Sequence, residues 1–399
     1  MRPLRVARIA ALALADCFVP KRRDLWVFPT YFIGPATFRD NARAVFEDVA
    51  ADPAIRKVVF TRGLPVLVEG TNVEIVPMGS WKAAWRLMRA GTVFVQHSLW
   101  LDYAKSKLQI AFRCGRRIVN LWHGIPIKDI SHGNTGIHSR RGLREMGWYA
   151  LPCSSEADRA HMQRAFHRTP TANFWVTGLP RDDVLLATNL PADQQADLES
   201  LRRIKAGRRL VLYAPTYRET QAGATYYEFG DGEIAALQAL CREHDAVFGV
   251  RYHSYRRPPG YRRLMEHGGA LDLSAEAFGD MRVLARETDV MVTDYSSVFL
   301  DALYLGRRCL CFAYDRGHYE ATQRGLFYPL EDLFGSDLTE DFAGLLRRLE
   351  QALSGDAASG EAMHARYATL QPLFFAHRDG RNAERLVARL RGSQGTAGP

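Results

Sequence analysis

The stretch DVMVTDYSSVFLDALYLG (residues 289–306) carries an apolar run into Thr293-Asp294-Tyr295-Ser296-Ser297 and opens a helix at once. Free N–H groups and the positive end of a helix dipole bind anions at such a turn, and Ser296 and Ser297 add hydroxyl donors without adding charge. Ser and Asp are also favoured helix caps, but a cap accounts for one such residue, and a double serine behind Thr-Asp points to phosphate. In IVNLWHGIPIKDI (118–130), His123 ends an apolar run, Gly124 permits close backbone approach, and Pro126 and Lys128 follow. An imidazole titrating near 6.5 suits general-base work, although a satisfied turn histidine is the commoner fate of any one among twelve. FGVRYHSYRRP ends a third run with Arg251 and His253. There the guanidinium offers a planar fork for phosphate, or the segment is simply a basic loop. YAPTYRE (Thr216, Arg218), GLPRDD (Arg181, Asp182) and YDRGHYEATQRG (Asp315, Arg324, Gly325) place a charge or hydroxyl beside Gly or Pro, and each taken singly reads as a turn. No Cys/His cluster, H-x-x-x-H or D-x-D pair follows a strand, so no metal is expected. A nucleotide diphosphate held at a helix N-terminus fits that pattern.

The elements that must position these residues alternate. LWVFPTYF, RKVVFT, VEIVPM, TVFVQHSLW, RRIVNLWHG, WYALPCSS and NFWVTG read as strands, and NARAVFEDVAAD, KAAWRLMRA and EADRAHMQRAF as helices. Residues 187–207 are polar and strandless and read as a hinge. A second series follows: strands RRLVLYAPT, AVFGVRYH, DVMVTDYSS and RRCLCFAYD, with helices EIAALQALCREH, MRVLARET and VFLDALYLG between them and two closing helices. The expected fold is α/β, two Rossmann-like domains facing a central cleft. The boundaries expected are 1–19 for an amphipathic helix, 20–190 for the N-terminal domain, 200–392 for the C-terminal domain with its closing helices, and 393–399 for a disordered tail.

The chain has 399 residues, 47% of them hydrophobic, and 53 Lys+Arg against 44 Asp+Glu give a net charge of +9. This composition excludes a disordered or collagen-like chain, and the charge favours anionic partners. No apolar run approaches the roughly 20 residues of a membrane span. Arg2, Arg5 and Arg8 oppose Leu4, Ile9, Leu12 and Ala13 on the first helix, a pattern that suits an anionic leaflet or a helix packed on the body. Six cysteines without C-x-x-C spacing suggest neither a disulfide framework nor a zinc site, and so a reducing cytoplasm.

In chain order, WHGIPIK (122–128), GLPRDD (178–183), LYAPTYRE (212–219), VRYH (250–253), TDYSSVFLDALYLGR (293–307) and YDRGHYEATQRGLFY (314–328) form a recognisable set. Together with FRDNARAVFEDV (38–49) and FFAHRDGRNAERLVARL (374–390), this set resembles the CDP-glycerol glycerophosphotransferase family of teichoic acid primases and polymerases over roughly residues 24–390. The resemblance implies a GT-B-like fold and transfer of a polyol phosphate, glycerol phosphate being the expected unit, from a CDP-activated donor to a hydroxyl, with release of CMP. The product would be a teichoic-acid-like, capsular or glycolipid phosphodiester. By motif, His123 would be the base and His253 would assist departure of CMP. Ser296 and Ser297 would hold donor phosphates on a turn shaped by Thr293 and Asp294. Arg218, Arg251 and Arg324, with Gly325 beside the last, would attend the pyrophosphate, and Gly124, Lys128, Arg181, Asp182 and Thr216 complete the candidates.

Departures from the family pattern bear on substrate identity. Ile125 stands where threonine is usual, Ser254 where proline follows the second histidine, and Leu179 and Asp182 where Tyr and Asn are typical. The resemblance implies no cofactor beyond the donor, a lipid-linked or polyol-phosphate acceptor, and a cytoplasmic enzyme on the inner face of the membrane. The alternatives are a GT-B glycosyltransferase using a nucleotide-sugar and a non-enzymatic nucleic-acid binder. The second lacks any nucleic-acid motif, so no nucleic-acid partner is expected.

Overall fold

The computed structural model describes residues 2–30, 38–110, 113–130, 147–216, 226–252, 259–322 and 325–392, and the side chains of the first helix from Ile9 onward. The chain divides into two compact units: residues 1–124, 130–187 and 376–399 form one, and residues 125–129 and 188–375 the other.

The first unit holds α1 (Arg2–Phe18), β1 (Arg22–Pro29), α2 (Asp40–Val49), β2 (Arg56–Thr61), β3 (Val73–Pro77), α3 (Trp81–Arg89), β4 (Ala90–Val95), α4 (Leu99–Asp102), β5 (Arg117–Asn120), β6 (Leu151–Cys153) and β7 (Phe174–Val176). Five strands pair in parallel in the order β3-β2-β1-β4-β5, and β6-β7 form a parallel pair, with Ala150 bridged to Val119. Val27 of β1 lies opposite Val58 on one side and Val93 on the other. Strands covered on both faces read as continuous apolar runs, and these do. On one face Val27, Val58 and Val93 pack with Leu87 and Met88 of α3. On the other, Phe28 stacks on Phe94 with ring centres 4.7 Å apart, beside Val45 and Phe46 of α2.

The second unit is built on six parallel strands: β8 (Arg209–Tyr213), β9 (Ala246–Val250), β10 (Leu271–Asp272), β11 (Val290–Thr293), β12 (Arg308–Phe312) and β13 (Leu338–Thr339). Their order is β10-β9-β8-β11-β12-β13. Both sheets therefore reverse direction beside their first strand, between β1 and β4 and between β8 and β11. Ligands of open parallel sheets gather at the carboxyl ends of the strands flanking such a switch point.

Four expectations change. The polar stretch read as a hinge contains a helix, Ala192–Lys205, which buries Gln194, Leu198 and Leu201 against the second unit. Its Gln194 reaches Asp280 at 3.2 Å, and Asp197 takes the Gly279 N–H at 3.0 Å. Three inward residues at helical spacing suffice for packing and are masked by polar composition. The closing helix Asn382–Gly392 belongs to the first unit, because Leu386, Val387 and Leu390 bury themselves among Val45, Phe46 and Val49. The run expected as a strand through Trp100 stops at Val95, since Ser98 caps the one-turn helix α4 by accepting the Leu101 N–H. Finally, Cys17 and Cys114, 97 residues apart, form a disulfide between α1 and the turn before β5. Local spacing could not show a pair that only the fold brings together. The expected tail 393–399 lies outside the described residues, among which no helix is long and apolar enough to cross a membrane.

The return of the chain to the first unit is tight at Gly178, which has φ +78°; a Cβ there would lie 1.9 Å from Asn382 Oδ1. Gly178→Ala is expected to cost about 1–3 kcal/mol from the left-handed backbone and this collision. The measurement is urea denaturation, and adding Asn382→Ala should recover the part due to collision.

Candidate active site

In the first unit, the turn into α2 sets Asp40 at φ +66°, with its Oδ1 accepting the Asn41 N–H at 2.7 Å. Asn41 is wholly buried. Its Nδ2 donates to the carbonyls of Leu121 and Trp122, both at 3.1 Å, and its Oδ1 accepts the Arg181 N–H at 2.9 Å. One amide thus joins the segments around residues 40, 123 and 181. The Arg181 guanidinium donates to the His123 carbonyl and lies 3.3 Å from Asp40 Oδ2. Gly124 has φ +140°, and a Cβ there would press on Arg181 Nη1 at 3.2 Å. Asp182 is buried in the next turn, where its N–H is bonded to Leu179.

His123 lies at the carboxyl end of β5, its Nδ1 3.3 Å from the Gln96 carbonyl. A carbonyl only accepts, so in the neutral ring Nδ1 carries the proton and Nε2 the lone pair. Burial first, then the neighbouring His97 and more weakly Arg181, hold His123 down at about 3, against the pull of the Gln96 carbonyl and Asp40. The ring is therefore in the form a base requires. His97, Asp102 and Gln96 were not singled out from the sequence. The signal available was Ser98 as a cap, which would have ended β4 before His97 and put its imidazole at a strand end.

In the second unit, the Thr293 hydroxyl donates to the Ala214 carbonyl at 2.7 Å. Asp294 Oδ1 accepts the N–H groups of Thr216 and Tyr295 at 2.8 and 2.6 Å. These two side chains lock the turns after β8 and β11 together at the switch point. Beyond them Ser297 is exposed, and Ser296 Oγ accepts the Val298 N–H at 3.4 Å, a weak cap. Thr216 Oγ1 is buried and has no hydrogen-bond partner among the described residues. Arg251 follows β9, and its Nη1 is committed to the carbonyls of Leu273, Ser274 and Phe278 at 3.0, 2.8 and 2.6 Å. This donor set pins a loop, a use that the sequence reading did not include.

Lys128 belongs to this unit: it bridges Leu326, its Nζ stands 5.5 Å from the Tyr319 ring, and the Asp129 N–H meets the carbonyl of the exposed Gly325 at 2.7 Å. Tyr319 stacks on Tyr295 at 3.6 Å, and the Tyr295 hydroxyl donates to Asp315 at 3.1 Å. His253, Arg218 and Arg324 lie outside the described residues.

Two Rossmann-type units, each with its motif residues at the carboxyl edge of a parallel sheet, define a GT-B-like fold. The wall teichoic acid polymerase TagF shares it, with a TM-score of 0.74 and 20% identity over 98% of this chain and 94% of that one. The chain belongs to the family described as CDP-Glycerol:Poly(glycerophosphate) glycerophosphotransferase, whose model matches residues 12–392. Teichoic acid ribitol-phosphate polymerase TarL of Staphylococcus aureus is 23% identical over 320 residues, 78% of this chain and 53% of that protein. A teichoic acid poly(glycerol phosphate) polymerase of Bacillus spizizenii is 26% identical over 332 residues, 78% of this chain and 79% of that protein. The chain spans 53% and 60% of the two Staphylococcus aureus ribitol-phosphate polymerases it matches.

Asn41→Ala leaves two buried carbonyls and one N–H unpaired and is expected to cost about 2–4 kcal/mol, read by urea denaturation. A second expectation concerns pH. Folded His123 refuses the proton that the unfolded chain accepts below about 6.5, so its contribution is complete above that pH and is lost as pH falls toward 3. His123→Gln should flatten the acid side of the stability profile, and an unchanged slope would refute the depressed titration.

Proposed function

We propose that the chain transfers a polyol phosphate from a CDP-activated donor to a hydroxyl acceptor and releases CMP, with glycerol phosphate the expected unit. The acceptor oxygen attacks the phosphorus that carries the polyol while His123 Nε2 takes its proton. The bridging P–O bond breaks, and CMP leaves with the electron pair. Ser296, Ser297 and the Thr216 hydroxyl, buried and without a partner among the described residues, line the turns where donor phosphates would lie. His253, Arg218 and Arg324 enter by family motif alone, as the group assisting CMP departure and the charge partners of the pyrophosphate. The observation that carries the reading is that family motifs lie at the carboxyl edge of both sheets, with His123 presented as a neutral acceptor. Membership of the family favours phosphate transfer over the nucleotide-sugar alternative.

The proposed acceptor is lipid-linked or a polyol phosphate, reached at an anionic inner membrane face. What supports a membrane face lies in the first unit. Trp81 and Trp85, 55% and 48% exposed, share one side of α3 with Lys82, Arg86 and Arg89 close by in sequence, and Lys107 sits 4.4 Å from the Trp81 ring. On α1, Leu14 and Phe18 are 58% and 86% exposed, while Ala13 and Asp16 are buried and Asp16 pairs with Lys21 and Arg116. Tryptophan beside basic residues is the composition of an interfacial surface.

CMP release from CDP-glycerol and CDP-ribitol, with and without a membrane extract, tests the activity. His123→Ala should lower turnover roughly a hundred- to ten-thousandfold, and Ser297→Ala about ten- to a hundredfold. No CMP from either donor in folded protein would reject the reading. Co-sedimentation with phosphatidylglycerol vesicles should exceed that with phosphatidylcholine and fall in Trp81→Ala/Trp85→Ala; equal sedimentation would reject the membrane face.

A further inference from the structure

The turn after β4 holds a second imidazole that neither the family motifs nor the sequence reading assigned. His97 Nδ1 lies 3.2 Å from Asp102 Oδ1, and the His97 ring stacks on that of His123, centres 4.7 Å apart and planes 17° from parallel. Asp102 is fully buried, and its Oδ2 accepts the N–H groups of Gln96 and His97 at 2.7 and 2.8 Å. Gln96 of the same turn supplies the carbonyl that faces His123 Nδ1. One buried carboxylate therefore organises both the acceptor that orients His123 and the ring that covers it.

We propose that His97, held by Asp102, is a positioning residue for the transfer reaction that fixes the orientation and charge state of His123. The proposal rests on the reading of His123 as the base. A carboxylate beside Nδ1 puts a proton on that nitrogen, just as in other histidine dyads where an acid orients the ring. Two stacked imidazoles cannot both become cations without repulsion. The carboxylate faces His97 and a backbone carbonyl faces His123, so the stacked neighbour opposes a proton on His123 and leaves it a free base. The other charges facing the pair are consistent with this division. Arg181, bonded to the His123 carbonyl, opposes a cation there, and Asp40 favours one more weakly than burial and His97 oppose it. Arg62 donates to the carbonyls of Leu101 and Asp102 at 2.6 and 2.7 Å and so holds the turn.

The test is nitrogen-15 histidine NMR on the full chain, which needs no substrate, together with the pH dependence of kcat/KM. In the wild type, His123 should remain neutral below pH 5. His97→Phe keeps an aromatic face without the charge. Asp102→Asn is isosteric but no longer draws the proton to His97, and it serves if the first variant fails to fold. In either variant the His123 midpoint should move upward by about one pH unit. The acid limb of kcat/KM should move the same way, with KM for the CDP-polyol unchanged. A His123 midpoint that stays in place in the folded variants overturns the proposal. Wild-type turnover in His123→Ala would instead overturn the base assignment, and the NMR titration would still decide whether His97 governs the charge of its neighbour.

Discussion

The carboxyl edge of the first sheet depends on the side-chain amide of Asn41. It is wholly buried at the start of α2, and its hydrogen bonds reach the backbone of two separate segments, Leu121 and Trp122 before His123, and Arg181 in the later turn. A buried amide is tolerated only when its donors and acceptor find partners. The segments it bonds are therefore not free to shift independently, because each movement would strand a polar group away from water. The backbone pays for this arrangement in strain: Asp40 and Trp122 both adopt positive φ without being glycine. Such conformations persist where the surroundings over-determine them, and they concentrate at functional sites.

The second unit reaches the same result with a carboxylate. Asp294 takes two N–H groups, one from its own turn and one from the turn after β8, while Thr293 donates to the carbonyl of Ala214. The two strands that flank the switch point are thus tied together just past their ends. In both units a short polar side chain braces the loops, and the residues suited to chemistry stand next to the brace: His123 and Arg181 in one, Ser296, Ser297 and Thr216 in the other. Rigid support of this kind lets small loops present donors and acceptors in fixed positions, which is what stabilising a developing charge requires.

This division of labour explains which parts were legible in the sequence. The parallel strands announce themselves, since RKVVFT and DVMVT must be apolar on both faces to lie inside a sheet covered by helices. The motif histidine and serines stand out as a set in chain order, since Gly, Pro and Ser beside any one strand end read as a turn or a cap. The helix Ala192–Lys205 was not, because three inward residues in fourteen leave the composition polar. The place of Asn382–Gly392 in the first unit was hidden for a different reason, as its partner Asp183 is 199 residues away, taking the Asn382 N–H at 2.9 Å. Arg251 shows a use that the sequence does not reveal. A guanidinium after a strand suggests phosphate, yet loop carbonyls take its Nη1 donor, and only the fold shows which acceptors come within reach.

The neutral state of His123 bears on the kind of reaction the site can support. A ring held near 3 is a weak base and would be poorly suited to removing a proton ahead of bond formation. Phosphoryl transfer makes no such demand: in its loose transition state the nucleophile is little bonded to phosphorus and its proton departs late. What such a reaction needs is a lone pair already in place, fixed in direction and not blocked by a proton at the pH of the medium. Burial, the Gln96 carbonyl and the neighbouring imidazole supply those properties together. Low basicity is then the consequence of burying the acceptor beside a second imidazole, which keeps its lone pair free of a proton.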